Sequence, residues 1–273
     1  MKIIFWGTPE YSIKTLEVLI KSDHEIVAVV TQPDKKRSRG GKLIPSPIKK
    51  LAELYAIPCL CPSKIKDNKD FLSTLREKDC DIFIVIAYGK ILSQEILDIP
   101  KFGSWNAHAS LLPRWRGAAP IQRAIMNMDS ETGISIMKIE PELDSGPAML
   151  QSKIKINPNL NCEELSNELS KIGAKLILDA LELIKENKAK FMSQNDTEIT
   201  YAKKIEKTEA KINWREDAQN IIAKINALNP NPGCWFEIDG SRIKIIKAKK
   251  IICDGKPGIV LDEKFTIGCL KNA

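Results

Sequence analysis

The segment MKIIFWGTPE at residues 1–10 decides the fold class. Its apolar run through Trp6 predicts a buried strand that ends at Gly7. Thr8-Pro9-Glu10 then supplies the cap, the first-turn proline and the acidic residue that are typical of a helix start. Because a strand that turns directly into a helix is the unit from which parallel sheets are built, these ten residues predict an α/β protein.

The same alternation continues along the chain. The further predicted strands are EIVAVVT at 25–31, IFIVIA at 82–87, residues 103–108, ETGISIMKI at 131–139 and AMLQSKIKI at 148–156. Helices are predicted from Ser46-Pro47 to Tyr55 and from about Cys162 to Ile184. This order indicates a mostly parallel sheet covered on both faces, which binds ligands at the carboxyl ends of its strands.

The last third of the sequence has a different pattern. Residues 186–206 are polar and weakly patterned, as in a linker on a surface. A helix at 216–228 and four short strands, CWFEI, RIKIIKA, GIVL and FTIGCL, then predict a small β-barrel. We therefore predict a catalytic domain at 1–188, a linker at 189–206 and a β-barrel domain at 207–273, which stops before a barrel would close.

Composition excludes several classes of protein. With 43% hydrophobic and 28% charged residues the chain should fold as a globule. The apolar runs are too short to cross a bilayer and no secretion leader is evident, so we expect a cytoplasmic protein without a membrane partner. Seven scattered cysteines without a C-x-x-C pair suggest reduced thiols, and only two histidines, His24 and His108, argue against a metal site.

The stretch GSWNAHASLLPRWRGAAPIQ at 103–122 is the most informative in the chain. In an extended segment Asn106 and His108 point to the same side, about 7 Å apart, so an amide and an imidazole converge. Small neighbouring residues leave room there for a ligand. Taken alone, His108 could equally be a hydrogen-bonded core residue.

A second candidate lies in PELDSGPAML at 141–150, where Asp144 sits in a loop between two apolar strands. Loops held by rigid strands often carry reactive side chains. An aspartate before Ser-Gly can equally form a turn by bonding its own backbone. The loop by itself leaves both interpretations open.

Taken together, these segments resemble the folate-dependent formyltransferase family. The matching motifs are WGTPEYS at 6–12, TQPD at 31–34, GGKLIPSPIK at 40–49, IAYGKIL at 86–92, NAHASLLPRWRGAAPIQRAI at 106–125, ETGISIM at 131–137, LDSGPAML at 143–150 and EAKINW at 209–214. The SLLP-x-x-RG core is highly specific to these enzymes and their hydrolase relatives. The resemblance spans nearly the whole chain.

The resemblance implies a Rossmann-like formyltransferase fold with a smaller C-terminal OB-like β-barrel domain, here apparently shortened. It implies transfer of the formyl group of 10-formyltetrahydrofolate to the amino group of methionine on initiator tRNA, by a protein that we expect to be a monomer. The family's catalytic residues carry over to Asn106, His108 and Asp144. Asn106 and a protonated His108 would stabilise the tetrahedral oxyanion, while Asp144 would favour the charged imidazole and help to relay a proton.

Binding residues carry over in the same way. The tetrahydrofolate site would be lined by Ser110, Leu111, Leu112, Pro113 and the backbone of Ala87, Tyr88 and Gly89. Residues 31–50 hold seven basic residues against one acidic residue, and the resemblance makes this stretch a loop that grips tRNA. The expected tRNA contacts are Lys35, Lys36, Arg37, Arg39, Lys42, Arg242 and Lys244. Both basic clusters could instead be solvated surface, since charge runs often are.

Three alternatives stay open. A formyltransferase for a small-molecule amine would share the Asn-His-Asp set but would need neither the basic loop nor a second domain. A formyltetrahydrofolate hydrolase usually carries an additional regulatory domain. A non-catalytic RNA-binding relative would have no need for the three residues together.

Overall fold

The structure is a computed structural model that describes residues 1–36, 41 and 43–271. The helices are α1 (Ile13–Ile20), α2 (Pro47–Leu54), α3 (Lys69–Glu77), α4 (Gln94–Leu97), α5 (Pro120–Met126), α6 (Cys162–Lys185) and α7 (Ala218–Leu228). The strands are β1 (Lys2–Gly7), β2 (Glu25–Val30), β3 (Lys35–Lys36), β4 (Leu43–Ile44), β5 (Cys59–Leu60), β6 (Ile82–Ile86), β7 (Ser104–His108), β8 (Arg116–Gly117), β9 (Glu131–Lys138), β10 (Ala148–Lys155), β11 (Tyr201–Ala202), β12 (Cys234–Ile238) and β13 (Ser241–Ile245).

The main sheet has seven strands in the order β10-β9-β7-β6-β1-β2-β5. Neighbours from β7 to β5 pair in parallel, whereas β7 and β9 are antiparallel. Every residue of β6 is buried, which means that both faces of the sheet are covered and explains its uninterrupted apolar sequence. The predicted mostly parallel α/β sheet is confirmed.

Aromatic side chains fix the centre of this sheet. Trp6 of β1 contacts the rings of Phe71, Phe83 and Tyr88 with centroids 5.2–6.0 Å apart. Such pairs add about 0.5–1.5 kcal/mol each beyond their burial. The core therefore anchors Tyr88, which lies just beyond the end of β6.

Two predicted helix starts had different outcomes. Ser46 caps α2, because its side chain accepts a hydrogen bond from the amide of Lys49 at 3.0 Å, as predicted. The start predicted at Thr8 is wrong, since a short 3-10 turn precedes α1, which begins at Ile13. The Thr8 hydroxyl instead donates to the carbonyl of Tyr88 at 3.2 Å.

Contacts divide the chain into two compact units that are not contiguous in sequence. The first unit holds residues 1–116, 133–153 and 167–200, and the second holds 117–132, 154–166 and 201–273. Each unit is thus assembled from three stretches. The domain boundaries proposed from the sequence, at residues 188 and 207, stay a prediction.

In the second unit, α5 packs on α7 above a core that includes Ile225, Leu228 and Phe236. β12 and β13 form an antiparallel hairpin, in the register Cys234↔Ile245. The segments GIVL and FTIGCL, predicted as strands, share only a single bridge between Val260 and Ile267.

The structure shows a small antiparallel sheet in this unit, while the predicted barrel is not confirmed and stays a prediction. The segments beyond β13 have few packing partners: Ile252 is 91% exposed and Val260 is 46% exposed. Strand-forming side chains stabilise a strand only where they contact neighbours on a half-buried surface. None of the described helices is both long and apolar enough to cross a lipid bilayer.

Candidate active site

The ends of three parallel strands, β1, β2 and β6, meet at the loop that follows β6. Gln32, just after β2, donates its side-chain amide to the carbonyl of Tyr88 at 2.8 Å, and Thr8, just after β1, donates to the same carbonyl. Ala87 and Gly89 on either side are exposed. The predicted pterin-contacting backbone thus lies at the edge where parallel sheets bind ligands.

His108 and Asp144 come together at the neighbouring strand end. The Nδ1 atom of His108 lies 3.6 Å from Oδ2 of Asp144, an ion-pair contact that is longer than a hydrogen bond. On the other side of the ring, Nε2 lies 2.8 Å from the carbonyl oxygen of Trp115. Because a carbonyl only accepts, Nε2 carries a proton and donates it, and Nδ1 is the nitrogen that faces the carboxylate.

Asn106 lies two residues before His108 on β7 and is half-buried. Its backbone pairs with Met137 and Val85, which fixes its direction. Within residues 1–36, 41 and 43–271 its side-chain amide makes no hydrogen bond. The amide is therefore available to a ligand.

Backbone strain concentrates around these side chains. Ala87, Trp115 and Asp144 adopt the left-handed conformation, with φ of 49°, 63° and 47°. Each such residue costs on the order of 1–3 kcal/mol and persists only when the surrounding structure enforces it. Two of the three flank the imidazole of His108, and the third lies in the loop that follows β6.

Two polar side chains that the sequence analysis missed, the buried Ser135 and the more exposed Gln151, hold the loop at Ser110–Pro113. The hydroxyl of Ser135, on β9 directly opposite His108, donates to the carbonyl of Ser110 at 2.7 Å and accepts from the amide of Leu112 at 3.0 Å. Gln151 donates to the carbonyl of Leu112 and to the Ser135 hydroxyl, both at 2.9 Å. The signal that could have revealed the role of Ser135 is a serine within the apolar run of a buried strand.

The predicted surface linker also reaches the site. Gln194 donates to the backbone carbonyls of Asp144 and Gly146 at 2.8 and 2.7 Å. Thr200 accepts a hydrogen bond from the amide of Trp115 at 2.8 Å. This segment therefore does more than connect two regions of the chain.

The structure describes four of the seven residues predicted to contact tRNA. Lys35 and Lys36 form β3, which pairs with β4, whereas Arg37, Arg39 and Lys42 lie outside the described residues. The guanidinium group of Arg242 lies 3.7 Å from the ring centroid of Trp235, and the Lys244 ammonium donates to the carbonyl of Pro230 at 2.8 Å. The side chains of Arg242 and Lys244 on β13 are both exposed and, as their spacing of two residues predicts, lie on the same face of the strand.

All seven cysteines are free thiols. Burial raises the pKa of the Cys80 thiol to about 12, which keeps it protonated and unreactive. Within the described ranges, no three His, Cys, Asp or Glu side chains are grouped so that they could hold a metal ion.

Two family models match the sequence. The model described as "Formyl transferase" matches residues 1–181, and "Formyl transferase, C-terminal domain" matches residues 204–273. Together they cover nearly the whole chain.

Individual proteins give the same result. The chain is 52% identical to a methionyl-tRNA formyltransferase of Prochlorococcus marinus (strain MIT 9312), over 96% of this chain and 85% of the relative. It is 46% identical to a methionyl-tRNA formyltransferase of Pelagibacter ubique, over 98% and 86%. A crystal structure of a sugar 3N-formyl transferase superposes with a TM-score of 0.73 at 21% identity, covering 100% of this chain and 95% of that one. At that identity the superposition speaks for the fold alone.

Proposed function

We infer the function from one premise: this chain belongs to the formyl transferase family. It transfers the formyl group of 10-formyltetrahydrofolate to the amino group of methionine carried by initiator tRNA. The observation that carries this conclusion is the identity of 42–52% to proteins named methionyl-tRNA formyltransferase, over at least 96% of this chain. Similarity to a sugar enzyme is limited to the fold, so a small-molecule amine is the less favoured acceptor.

The chemistry requires stabilisation of the negative oxygen that forms when the amine attacks the formyl carbon. We assign this task to the free amide of Asn106 and to Nδ1 of His108, because Nε2 of that ring already donates to Trp115. The carboxylate of Asp144 lies 3.6 Å from Nδ1 of His108. We propose that this carboxylate helps to position a water that relays the proton from the attacking amine to the folate nitrogen that leaves.

The residues around the site fit a folate. The exposed backbone at Ala87 and Gly89 can meet a planar heterocycle, while the loop from Ser110 to Pro113 is held rigid by Ser135. Rigid positioning of this kind raises the rate by holding reacting groups in line. The proposed folate residues remain the seven predicted from the sequence.

For the tRNA we propose the basic segment at 31–50 together with Arg242 and Lys244. Support comes from their charge and from the exposed stack of Arg242 on Trp235, since aromatic and guanidinium groups together are common in nucleic-acid sites. We also propose that the second domain is OB-like. The protein is proposed to act as a monomer in the cytoplasm.

The decisive assay offers the purified protein four acceptors with the same formyl donor. These are methionyl initiator tRNA, methionyl elongator tRNA, free methionine and a dTDP-linked amino sugar. We expect formylation of the initiator alone. Transfer only to a small amine would replace the proposed acceptor, and transfer to none would favour a non-catalytic relative.

Single-turnover kinetics test the three catalytic residues. Asn106→Ala, His108→Ala and Asp144→Ala should each slow formyl transfer by at least about 10²-fold, the typical effect of losing one oxyanion contact. Their circular dichroism should match that of the parent protein. A near-normal rate in folded His108→Ala would remove the proposed mechanism.

A further inference from the structure

The segment at 194–200 makes hydrogen bonds to the two loops that lie on either side of the His108 ring. This segment contains one short 3-10 turn, at Asp196–Glu198, and was predicted as a surface linker. Its hydrogen bonds reach residues that are 48 to 85 positions away in the sequence. Such distant contacts are unusual for a segment that merely connects two domains.

On one side, Gln194 holds the turn that carries Asp144. Its amide nitrogen has two hydrogens, and each is donated to one carbonyl of the turn, that of Asp144 or that of Gly146. Its amide oxygen accepts from Nε of the buried Arg116 at 2.9 Å. Because the carbonyls only accept and the guanidinium only donates, only one orientation of this amide satisfies all three bonds.

On the other side, Thr200 holds the carbonyl that orients the imidazole. Its hydroxyl accepts from the amide of Trp115, and its own carbonyl accepts from the amide of Arg116 at 2.9 Å. The carbonyl of Trp115, which is held between these two bonds, is the acceptor for Nε2 of His108.

The contacts close into a ring. It runs from His108 to Trp115 and Arg116, across Gln194 to the Asp144 turn, and back to the imidazole at 3.6 Å. Trp115 and Asp144 are two of the strained residues of the site. Strained conformations need outside support, and this segment supplies it at both positions.

We propose that Gln194 and Thr200 are positioning residues that set the separation and orientation of His108 and Asp144. This proposal rests on the function given above. Both residues act through hydrogen bonds to the backbone of the two loops.

Replacement of Gln194 provides the first test. Gln194→Met keeps the length of the side chain and removes its three hydrogen bonds. We expect kcat to fall about 10- to 100-fold, because a displacement near 1 Å costs about that much, while KM for both substrates changes less than about threefold. The matched control is Gln94→Met, since Gln94 bonds only the exposed Asp98 within the described residues. It should leave kcat unchanged.

Thr200 provides a matched pair of its own. Thr200→Val keeps the shape but cannot accept from Trp115, whereas Thr200→Ser keeps the acceptor. We expect Thr200→Val to lower kcat by about 10-fold or more and Thr200→Ser to restore most of it. Equal kcat values in the two variants would overturn the proposal, and this pair decides the matter if Gln194→Met does not fold.

A double variant tests whether Gln194 acts through Asp144. Residues that act as one unit are not additive, so Gln194→Met should cost less than about threefold in kcat when Asp144→Asn is already present. A full loss on top of Asp144→Asn would show that Gln194 acts elsewhere, and would contradict the proposal.

A readout without turnover separates this proposal from the proposed function. The chain has only two histidines, so the imidazole ¹⁵N signals of His108 can be followed by NMR with His24 as an internal reference. Gln194→Met and Thr200→Val should shift the His108 signals but not those of His24. Unshifted signals would refute the positioning role, whereas shifted signals in a protein that transfers no formyl group would refute only the function.

Discussion

The hydroxyl of Ser135 offers a sharp test of how the folate loop is held. It is fully buried and makes three hydrogen bonds, to the carbonyl of Ser110, the amide of Leu112 and the side chain of Gln151. Ser135→Ala removes all three without changing the strand. Two of the abandoned partners are buried backbone groups.

The magnitude follows from those two groups. A buried donor or acceptor left without a partner costs about 1–3 kcal/mol, and the two losses are not fully additive because one relaxation can serve both. We therefore expect Ser135→Ala to lower the free energy of unfolding by about 2–4 kcal/mol. The third partner loses less, since Gln151 keeps its bond to the Leu112 carbonyl.

Ser170→Ala is the matched control. Ser170 is also buried, in the same compact unit, but among the residues that the structure describes its hydroxyl bonds only the carbonyl of Asn167 within α6. Alanine is the better helix former, so the net change should stay within about 1 kcal/mol.

Urea unfolding of both variants measures the difference in their stability. Provided that the slope of unfolding free energy against urea concentration is unchanged, the shift of the midpoint gives the change in free energy of unfolding. In steady-state kinetics, Ser135→Ala should also raise KM for the formyl donor more than KM for the tRNA, because it loosens the loop proposed to line the folate site. If Ser135→Ala is no more destabilising than Ser170→Ala, the description of this loop is wrong.

Arg39→Ala should weaken tRNA binding and reduce its salt slope by about one, without changing KM for the folate; an unchanged slope in a binding titration would count against a phosphate contact. The hydrogen bonds from Arg123 lower the pKa of Glu209 in the folded protein. The ionised carboxylate therefore stabilises the fold. This stabilisation is complete above the pKa that Glu209 has in the unfolded chain, and it is lost as the pH falls through the pKa of the folded state. Glu209→Gln should therefore destabilise the protein at pH 7 and much less under acidic conditions; equal urea midpoint shifts at pH 7 and about pH 3 would contradict this. Gly146→Ala should cost more than about 2 kcal/mol, because its methyl group would overlap the backbone of β9, whereas Gly173→Ala in α6 should stabilise by about 0.5–1 kcal/mol, since its methyl group meets only ordinary contacts. Thermal unfolding midpoints compare the two, and similar values would contradict the difference in packing.

Local pattern was sufficient for the main sheet, whereas the candidate catalytic residues were assigned through the resemblance to the formyltransferase family. Buried parallel strands have to be apolar along their whole length, so the runs through Trp6 and at 82–87 could be recognised directly. Alternation along β7 placed Asn106 and His108 on one side of a strand. Their roles, and that of Asp144, stay predictions.

The second unit shows where local pattern fails. Its short apolar runs beyond Lys247 look like strands, yet they lie largely exposed and form no sheet beyond one bridge. A strand is stable only when its side chains have neighbours to pack against. A one-dimensional pattern cannot show whether those neighbours are present.

The amino-acid sequence alone determined an α/β sheet, its ligand-binding edge and the residue types that could carry formyl transfer. Only the tertiary structure brought Asp144 to 3.6 Å from His108, and only it revealed Ser135, Gln194 and Thr200 as the residues that hold the surrounding loops. The reason is physical. Apolar periodicity depends on residues that are close in the sequence, whereas a hydrogen bond between side chain and backbone depends on where folding places two distant segments.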